Sequence, residues 1–481
     1  MVMIQAITLE LSVVCLGIFL LMADAFYIKA DKRVLAYGGI FGLGVVFAMT
    51  FFVLPPPLEY SGFYTGDALG LFFKRFALAA TILTLILAIE YAPVVERFIP
   101  GSSPGAGLGE FFVLPIFTCA GLMWMASAAD FVMIFCALEL VTISFYIQVA
   151  YMRKSAASLE AGTKYLILGA LSTGFLVYGI TWIFGITGQT GLTGISIVLG
   201  NVPLASQTAI LFGVGLVLVA LGFKVAAAPF QFWVPDVYQG APTPVTAFLS
   251  VGSKAAGFVV LMRVLEPFLT VPMIEQKLVT VLQFLAGLTL IFGNLAAMPQ
   301  TNLKRLLGYS SIAHAGYLLV GIASVGSASA GRAIVFYLLG YLLMTFLAFL
   351  VLIPVAKATG GDDIAHFNGL GRRAPGLALA MLISMLSLAG LPFTVGFLGK
   401  FFIFEAAMQE QHFVLVALGV VTVACGFYYY LKVVRAMYWQ PAPEDAEPIM
   451  VSPLTRFTSA FLAALILLAG IYPKPLLDIL P

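Results

Sequence analysis

Four ionisable side chains lie in stretches of this sequence that are otherwise apolar enough to cross a bilayer: Glu139, Lys224, Lys254 and Lys400. A charged residue at the centre of a membrane helix costs roughly 2.5 to 3.5 kcal/mol, so such residues are found mainly where function requires them. An acid and several amines buried in one protein can bind protons and pass them on. The sequence therefore directs attention to proton transfer inside a membrane.

The charge state of such groups depends on how close together they lie. Burial favours the protonated acid and the neutral amine, because the charged forms lose their hydration. Opposite charges about 4 Å apart attract by on the order of 4 kcal/mol at an effective dielectric constant near 20, which allows both to ionise. A change in the distance between Glu139 and a lysine would therefore capture or release a proton. The alternative for each residue is a structural salt bridge or a lysine that extends to the headgroups.

Two long apolar segments contain a proline close to one of these lysines. Pro229 follows Lys224 by five residues, and Pro392 precedes Lys400 by eight. Proline removes a backbone donor and clashes with the preceding turn, which frees carbonyl groups that hydrocarbon cannot satisfy. Paired broken helices are typical of the ion path of a transporter. We therefore predict helix breaks that line a polar path, with a simple packing kink as the alternative.

The composition is that of a membrane protein. Hydrophobic residues make up 62% of the 481 residues and charged residues only 10%, whereas soluble domains carry about 25% charged residues. The long, unbroken apolar runs exclude the alternating pattern of a membrane barrel and predict an all-α fold with about fourteen transmembrane helices. The predicted spans are 4–26, 34–54, 67–91, 110–127, 130–151, 162–187, 207–239, 242–266, 274–298, 303–325, 330–357, 374–408, 412–438 and 454–473.

The two broken spans are the seventh and the twelfth, which suggests an internal repeat. They are five helices apart, and an odd spacing inverts the second copy, so helices 4–8 and 9–13 are predicted to be inverted repeats. The predicted domains are an N-terminal three-helix segment (1–109), the first repeat (110–266), the second repeat (267–438) and the C-terminal helix (439–481).

Lysine and arginine favour the cytoplasmic loops of membrane proteins. With the first residue outside, fifteen basic residues fall on the inner side and four on the outer side, so both termini are predicted to be outside. The inner residues are Lys29, Lys32, Arg33, Arg97, Arg153, Lys154, Lys164, Lys304, Arg305, Lys357, Arg372, Arg373, Lys432, Arg435 and Arg456. The outer residues are Arg263, Lys277, Arg332 and Lys474. Lys74 and Arg75, near one end of the third span, are expected to extend toward the headgroups.

The sequence offers no cofactor-binding or metal-binding motif. The four cysteines stand singly in apolar stretches, without the C-x-x-C spacing of iron–sulfur or zinc sites. No glycine-rich loop follows a strand, and the net charge of +2 does not indicate a nucleic-acid partner. His314, in the segment SSIAHAGY, could be a functional group or a satisfied core histidine. Asp236 is expected to be a loop or capping residue.

A resemblance to a known family rests on three segments: PFQFWVPDVYQGAPTPVTAFLSVGSKAAGF, GNLAAMPQTNLKRLLGYSSIAHAGYLLVG and LSLAGLPFTVGFLGKFFIF. They are similar to the subunit N family of bacterial NADH-quinone oxidoreductase, respiratory complex I, whose members have an antiporter-like fold. The likeness extends from the fourth to the thirteenth predicted helix. One departure is Gln231, where many relatives have histidine, so a proton-uptake role at that position is in doubt.

The resemblance implies a membrane-arm subunit of a proton-translocating enzyme. It implies that Glu139 and Lys224 form the controlling ion pair and that Lys254 links this pair to the central hydrophilic axis. His314 would be a connecting group on that axis, and Lys400 would end the relay toward the outer exit. Redox chemistry in other membrane-arm and peripheral subunits would drive the protons, and NADH, FMN, iron–sulfur clusters and quinone would belong to those partners. The chain itself would lie in the bacterial inner membrane with both termini periplasmic. The alternatives are a stand-alone or Mrp-type sodium/proton antiporter and a passive membrane scaffold.

Overall fold

The computed structural model describes residues 4–26, 31–54, 62–100, 105–200, 202–443 and 449–480. Lys29, counted above among the inner basic residues, lies outside the described residues. Apart from one pair of two-residue parallel strands, β1 (Ile4–Gln5) and β2 (Val53–Leu54), the regular structure of the described residues is helical. The prediction of an all-α fold is confirmed.

The first eleven helices come from the first 265 residues. They are α1 (Ile7–Phe26), α2 (Arg33–Met49), α3 (Ala68–Phe98), α4 (Leu108–Ser127), α5 (Phe131–Val149), α6 (Ala156–Thr187), α7 (Leu192–Leu199), α8 (Leu204–Val225), α9 (Val234–Gly240), α10 (Thr243–Phe248) and α11 (Lys254–Leu265). The remaining helices are α12 (Pro272–Ala297), α13 (Leu303–Ala323), α14 (Ala330–Thr359), α15 (Leu370–Arg373), α16 (Pro375–Ala389), α17 (Val395–Gln409), α18 (Phe413–Trp439), α19 (Pro453–Ile471) and α20 (Lys474–Leu477).

Thirteen helical segments of the described residues are long and apolar enough to cross a membrane. The predicted twelfth span consists of two helices of 15 residues each, α16 and α17, separated by a turn that contains Pro392. Counting this pair as one crossing gives the fourteen spans that the sequence predicts. The seventh span is broken as well, because α8 ends at Val225 and Pro229 lies in the turn before α9. The inverted relation of the two repeats stays a prediction.

The chain forms two compact units. The described residues within Met1–Ala226 and Gly240–Val281 make up the first unit, and those within Ala227–Gln239 and Leu282–Leu480 make up the second. Glu139, Lys224 and Lys254 belong to the first unit, whereas His314 and Lys400 belong to the second.

Lys74 does not extend to the headgroups, and that expectation is wrong. The Lys74 and Glu10 side chains are only 1% and 0% exposed, and Lys74 Nζ lies 2.9 Å from Glu10 Oε1. Tyr64 OH donates a hydrogen bond to Glu10 Oε1 at 3.2 Å and accepts one from Lys74. Because α1 supplies an acid as partner, the lysine amine is satisfied inside the protein and need not reach water. This buried pair ties α1 to α3.

We predict that Glu10→Ala destabilises the protein by about 3–5 kcal/mol, because it leaves the buried Lys74 charge without its partner. The measurement is the unfolding of the purified chain in detergent. The double variant Glu10→Met, Lys74→Met removes both charges and should have a stability close to that of the unsubstituted protein. If Glu10→Ala unfolds no more easily than the unsubstituted chain, the pair does not anchor these helices.

Candidate functional site

Lys224 lies in the last turn of α8, directly before the first helix break. The helix ends where Ala226 takes a left-handed conformation, with φ of 65°. The Lys224 side chain is buried, and its Nζ donates a hydrogen bond to Thr142 Oγ1 on α5 at 2.8 Å. The dipole at the carboxyl end of a helix favours a positive charge, whereas burial disfavours it. At this helix end, the dipole therefore favours the ammonium form of Lys224, and burial favours the neutral amine.

Glu139 lies on α5, one turn before Thr142, and is half-buried. Its Oε1 accepts a hydrogen bond from Thr173 Oγ1 on α6 at 2.7 Å. The carboxylate lines a groove of about 610 Å³ between α5 and α6 whose other walls are mainly apolar. Among the ion pairs of the described residues, none joins Glu139 to Lys224. The predicted controlling ion pair stays a prediction.

Thr173 lines both the groove of Glu139 and the cavity of Lys224. That cavity is narrow, about 10 Å³, and its wall also includes Thr142. A hydroxyl group can donate one hydrogen bond and accept others, so it can bind either form of a neighbouring acid or base. Thr142 accepts from Lys224 and donates to the carbonyl of Leu138 at 2.6 Å, whereas Thr173 donates to Glu139. Each threonine therefore contacts one member of the predicted pair, and both line the same cavity.

Helix α11, which begins at Lys254, packs directly against the end of α8. Gly257 allows the close approach, since a Cβ there would lie 2.9 Å from Val225 Cγ1 and 3.4 Å from Lys224 Cγ. The Lys254 side chain is buried in the same unit. A side chain in place of Gly257 would push the two helices apart. Lys224 and Lys254 are thus carried by two tightly packed neighbouring helices.

A five-residue π-helix, Leu249–Ser253, joins α10 to α11 immediately before Lys254. Such wide turns are rare inside helical spans and are frequent at functional sites. The hydroxyl of Ser253 is buried and has no hydrogen-bond partner within the part of the chain that the structure describes. The sequence predicts an unbroken eighth span. It does not predict the π-helix, because no proline within Leu249–Ser253 marks a departure from the α-helix.

The other end of α11 is fixed by an ion pair. Arg263 donates to both carboxylate oxygens of Asp67, at 3.0 and 2.7 Å, and its Nε donates to the carbonyl of Ala126 at 3.0 Å. Asp67 also caps α3 by accepting from the backbone N–H of Gly70. Burial raises the pKa of Asp67, but the hydrogen bonds and charge of Arg263 outweigh burial and hold the pKa below its ordinary value. The pair therefore persists at neutral pH and is lost only when the pH falls through that lowered pKa.

In the second unit, Lys400 closes the break in the twelfth span. Its side chain is buried, and Nζ donates to the carbonyl oxygens of Leu388 and Ala389, each at 2.9 Å. These are the last two residues of α16, and Gly390 follows them with φ of 91°. The last carbonyl groups of a helix have no partner within it. Lys400 on α17 thus caps the end of the preceding half-helix.

His314 is the centre of a buried cluster of tyrosines. Its Nδ1 lies 2.6 Å from Tyr337 OH on α14, and its Nε2 lies 3.1 Å from Tyr430 OH on α18. Tyr430 OH is also hydrogen-bonded to Ser310 Oγ, one turn before His314 on α13. The contacts make a continuous chain of groups that can each donate and accept a proton. Both ring nitrogens of His314 therefore have a hydrogen-bond partner. A histidine of the packed core and a histidine in a proton relay both require this.

Tyr317 lies between His314 and Lys400. The centroid of its ring is 6.1 Å from the ring centroid of His314. Lys400 Nζ lies over the face of the Tyr317 ring, 5.0 Å from the centroid. Tyr317 OH is hydrogen-bonded to Thr422 at 3.2 Å. The ring of Tyr341 also contacts His314, with centroids 5.0 Å apart. These tyrosines are not among the residues predicted from the sequence, although the run of three at 428–430 and the spacing of Tyr337 and Tyr341 by one turn are visible signals.

The remaining predicted residues lie at the first break and beside it. In the turn that contains Pro229, the N–H of Ala228 donates to Thr289 Oγ1 at 2.9 Å. Gln231 is buried, and its Oε1 has no hydrogen-bond partner among the described residues. Asp236 pairs with Arg305 at 2.7 Å near the start of α13. Within the described ranges, no group of three or more His, Cys, Asp or Glu residues could hold a metal ion.

We predict that Lys400→Met destabilises the protein by about 1–3 kcal/mol for each carbonyl group that loses its donor. Methionine keeps most of the side-chain volume, so packing changes little. The measurement is unfolding of the purified chain in detergent, with Lys277→Met as the control, because Lys277 is exposed and its loss should cost less than about 0.5 kcal/mol. Equal stability of the two variants would contradict the capping role.

The chain is similar to proteins of one family. Residues 128–426 match the family model described as NADH:quinone oxidoreductase/Mrp antiporter, TM. The chain is 40% identical over 465 residues to NADH-quinone oxidoreductase subunit N of Trichlorobacter lovleyi, covering 96% of this chain and 93% of that one. It is also 40% identical over 475 residues to NADH-quinone oxidoreductase subunit N of Heliobacterium modesticaldum, covering 98% and 97%.

A solved structure is similar over nearly the whole chain. It is a chain of respiratory complex I from Thermus thermophilus with bound aureothin, at 31% identity and a TM-score of 0.79, with 98% of both chains covered. The similarity includes the helices that carry the predicted site residues in both compact units.

Proposed function

Because the chain belongs to the family of NADH-quinone oxidoreductase subunit N, we propose that it conducts protons across the membrane through its buried acid, amine and hydroxyl groups. The chain is an antiporter-like, multi-pass subunit of the bacterial inner membrane. Its partners are other membrane-arm subunits of respiratory complex I. The proposal assigns the individual residues their parts in the relay.

The observation that carries the proposal is that Thr173 donates to Glu139 and also lines the cavity that Lys224 lines. The narrow cavity that Thr173 shares with Lys224 measures about 10 Å³, close to the roughly 10–15 Å³ that one water molecule needs. One water there, with the two hydroxyl groups, would complete a hydrogen-bonded connection from the acid to the amine. A nearby carboxylate favours the ammonium form of Lys224, and apolar surroundings favour the neutral form. Protonation of Glu139 would therefore release a proton from Lys224.

The second unit would continue the relay through His314 and Lys400. The hydrogen bonds of His314 to Tyr337 and Tyr430 support this part of the proposal, because each group can receive a proton on one side and release one on the other. Lys254 is assigned the step between the controlling pair and this cluster, on the strength of its burial on the helix that packs against Lys224. Lys400 is assigned the last step.

We propose that the energy comes from redox centres in the partner subunits and that this chain holds none. Moving one proton against the membrane potential costs about 2.3 kcal/mol per 100 mV, so a driver is required. The four cysteines of this chain stand singly in the sequence, without the C-x-x-C spacing of an iron–sulfur site. NADH, FMN, iron–sulfur clusters and quinone are therefore assigned to the other subunits of the complex.

We propose that both termini are periplasmic, and a reporter fusion tests this. The support is the asymmetry of fifteen inner to four outer basic residues. Alkaline phosphatase is active only in the periplasm, so a fusion after residue 481 should be active and one after Gly360 should be inactive. The reverse pattern would contradict the orientation.

For the relay itself, we predict that Glu139→Gln and Lys224→Met each lower the rate of proton pumping at least about tenfold, because each removes a proton-transfer group. The measurement is NADH-driven proton uptake by inverted membrane vesicles, divided by the amount of assembled complex. Thr173→Val should also lower the rate, because it removes the bridging hydroxyl but keeps the shape of the side chain. Lys254→Met should reduce pumping as well.

The matched control is Thr181→Val on the same helix. The Thr181 hydroxyl is exposed and donates to the carbonyl of Val177 in its own helix at 2.9 Å, its one hydrogen-bond partner among the described residues, so pumping should be unchanged. Full pumping by assembled Lys224→Met complexes would favour a passive scaffold. Exchange of sodium for protons by the purified chain alone in liposomes would favour the stand-alone antiporter instead.

A further inference from the structure

A cleft of about 550 Å³ runs between α16 and α19 in the second unit, outside the relay. Arg373 and Arg456 line it, together with apolar side chains of both helices such as Ile383 and Ala463. No acidic residue is among the described residues of its wall. One of the two guanidinium groups, that of Arg373, also donates a hydrogen bond to the carbonyl of His366 at 3.4 Å. The cleft therefore combines an apolar wall with two guanidinium groups, of which Arg373 already has a partner within the protein.

The arginines lie near the start of the two helices that line the cleft. Both α16 and α19 begin beside them, at Pro375 and Pro453. The ring of Tyr438, at the end of α18, comes within 2.9 Å of the position that a Cβ of Gly371 would occupy, two residues before Arg373. Tyr438 and its neighbour Trp439 are 43% and 73% exposed, and such aromatic side chains concentrate at the membrane–water interface.

We propose that this cleft binds an anionic phospholipid, with its phosphate on Arg373 and Arg456 and one acyl chain along the apolar wall. Guanidinium groups bind phosphate oxygens through paired hydrogen bonds. The cleft extends from the arginines along α16 as far as Ile383, so the charged and apolar parts follow one another as they do in a lipid. Basic pockets between membrane helices are suited to anionic headgroups.

The cleft is short and lined mainly by small and aliphatic residues, which suits one acyl chain. Its wall on α16 extends from Gly376 to Ile383, which is about 10 Å at 1.5 Å per residue. Small residues, including Ala380 and Ala460, create this narrow space.

The test is native mass spectrometry of the full purified chain titrated with phosphatidylglycerol or with phosphatidylcholine of the same acyl chains. We expect phosphatidylglycerol to bind at least about fivefold more tightly. Arg456→Gln should weaken its binding roughly fivefold, and the double variant Arg373→Gln, Arg456→Gln roughly 25-fold, with phosphatidylcholine unaffected. Arg456 is exposed, so its substitution leaves the packing intact.

Arg372→Gln is the charge-matched control. Arg372 is exposed next to Arg373 but does not line the cleft, so its loss should change binding less than twofold. Ala460→Phe fills the cleft from an exposed position and should weaken the binding of phosphatidylglycerol although all charges remain. Binding that Ala460→Phe leaves unchanged would overturn the assignment of an acyl chain to the cleft.

Three further results would overturn the proposal. Equal affinity for the two lipids would mean that other groups neutralise the arginines. An equal loss of binding in Arg372→Gln and Arg456→Gln would indicate a general attraction to surface charge. Displacement of the lipid by millimolar inorganic phosphate would indicate a plain anion site without an acyl-chain subsite.

Discussion

Hydrocarbon offers no hydrogen bonds, and this constraint governs the two broken helices on which the rest of the structure depends. Each break frees backbone groups that must find partners inside the protein. At the second break the partner is Lys400, which donates to two carbonyl groups at the end of α16. At the first break Thr289 accepts from the N–H of Ala228. The polar side chains near the breaks therefore stabilise the fold, in addition to the part proposed for them in proton transfer.

The capping geometry also suits a residue that gains and loses protons. An ammonium group has three N–H donors, and a neutral amine has two. Lys400 can therefore keep both carbonyl groups satisfied after it releases a proton, and the third donor is the one that changes. A carboxylate or a carbonyl group in place of this amine has no hydrogen to donate and could not satisfy the two backbone carbonyl groups. The cap remains intact in both charge states, so proton transfer need not unfold the break.

The sequence predicted those features that local residues determine. The breaks follow from Pro229 and Pro392, and the all-α fold follows from the long apolar runs. Features that depend on packing between distant helices were missed. Lys74 was assigned to the headgroup region because its partner, Glu10, lies on another helix, and nothing near Lys74 in the sequence identifies it. The tyrosines around His314 come from α13, α14 and α18, and only tertiary structure brings them together.

The same distinction explains why the arrangement of Glu139 and Lys224 could not be read from the sequence. Glu139 and Thr173 lie on facing sides of α5 and α6, and Lys224 reaches Thr142 from α8. Their separation is therefore set by the packing of three helices. On α11, which carries Lys254, the ion pair of Arg263 with Asp67 fixes one end of the helix. Gly257 sets the close contact between α11 and α8. Because packed helices move between discrete arrangements and do not deform continuously, a shift of α8 that changes the surroundings of Lys224 must also act on the end of α11 that carries Lys254.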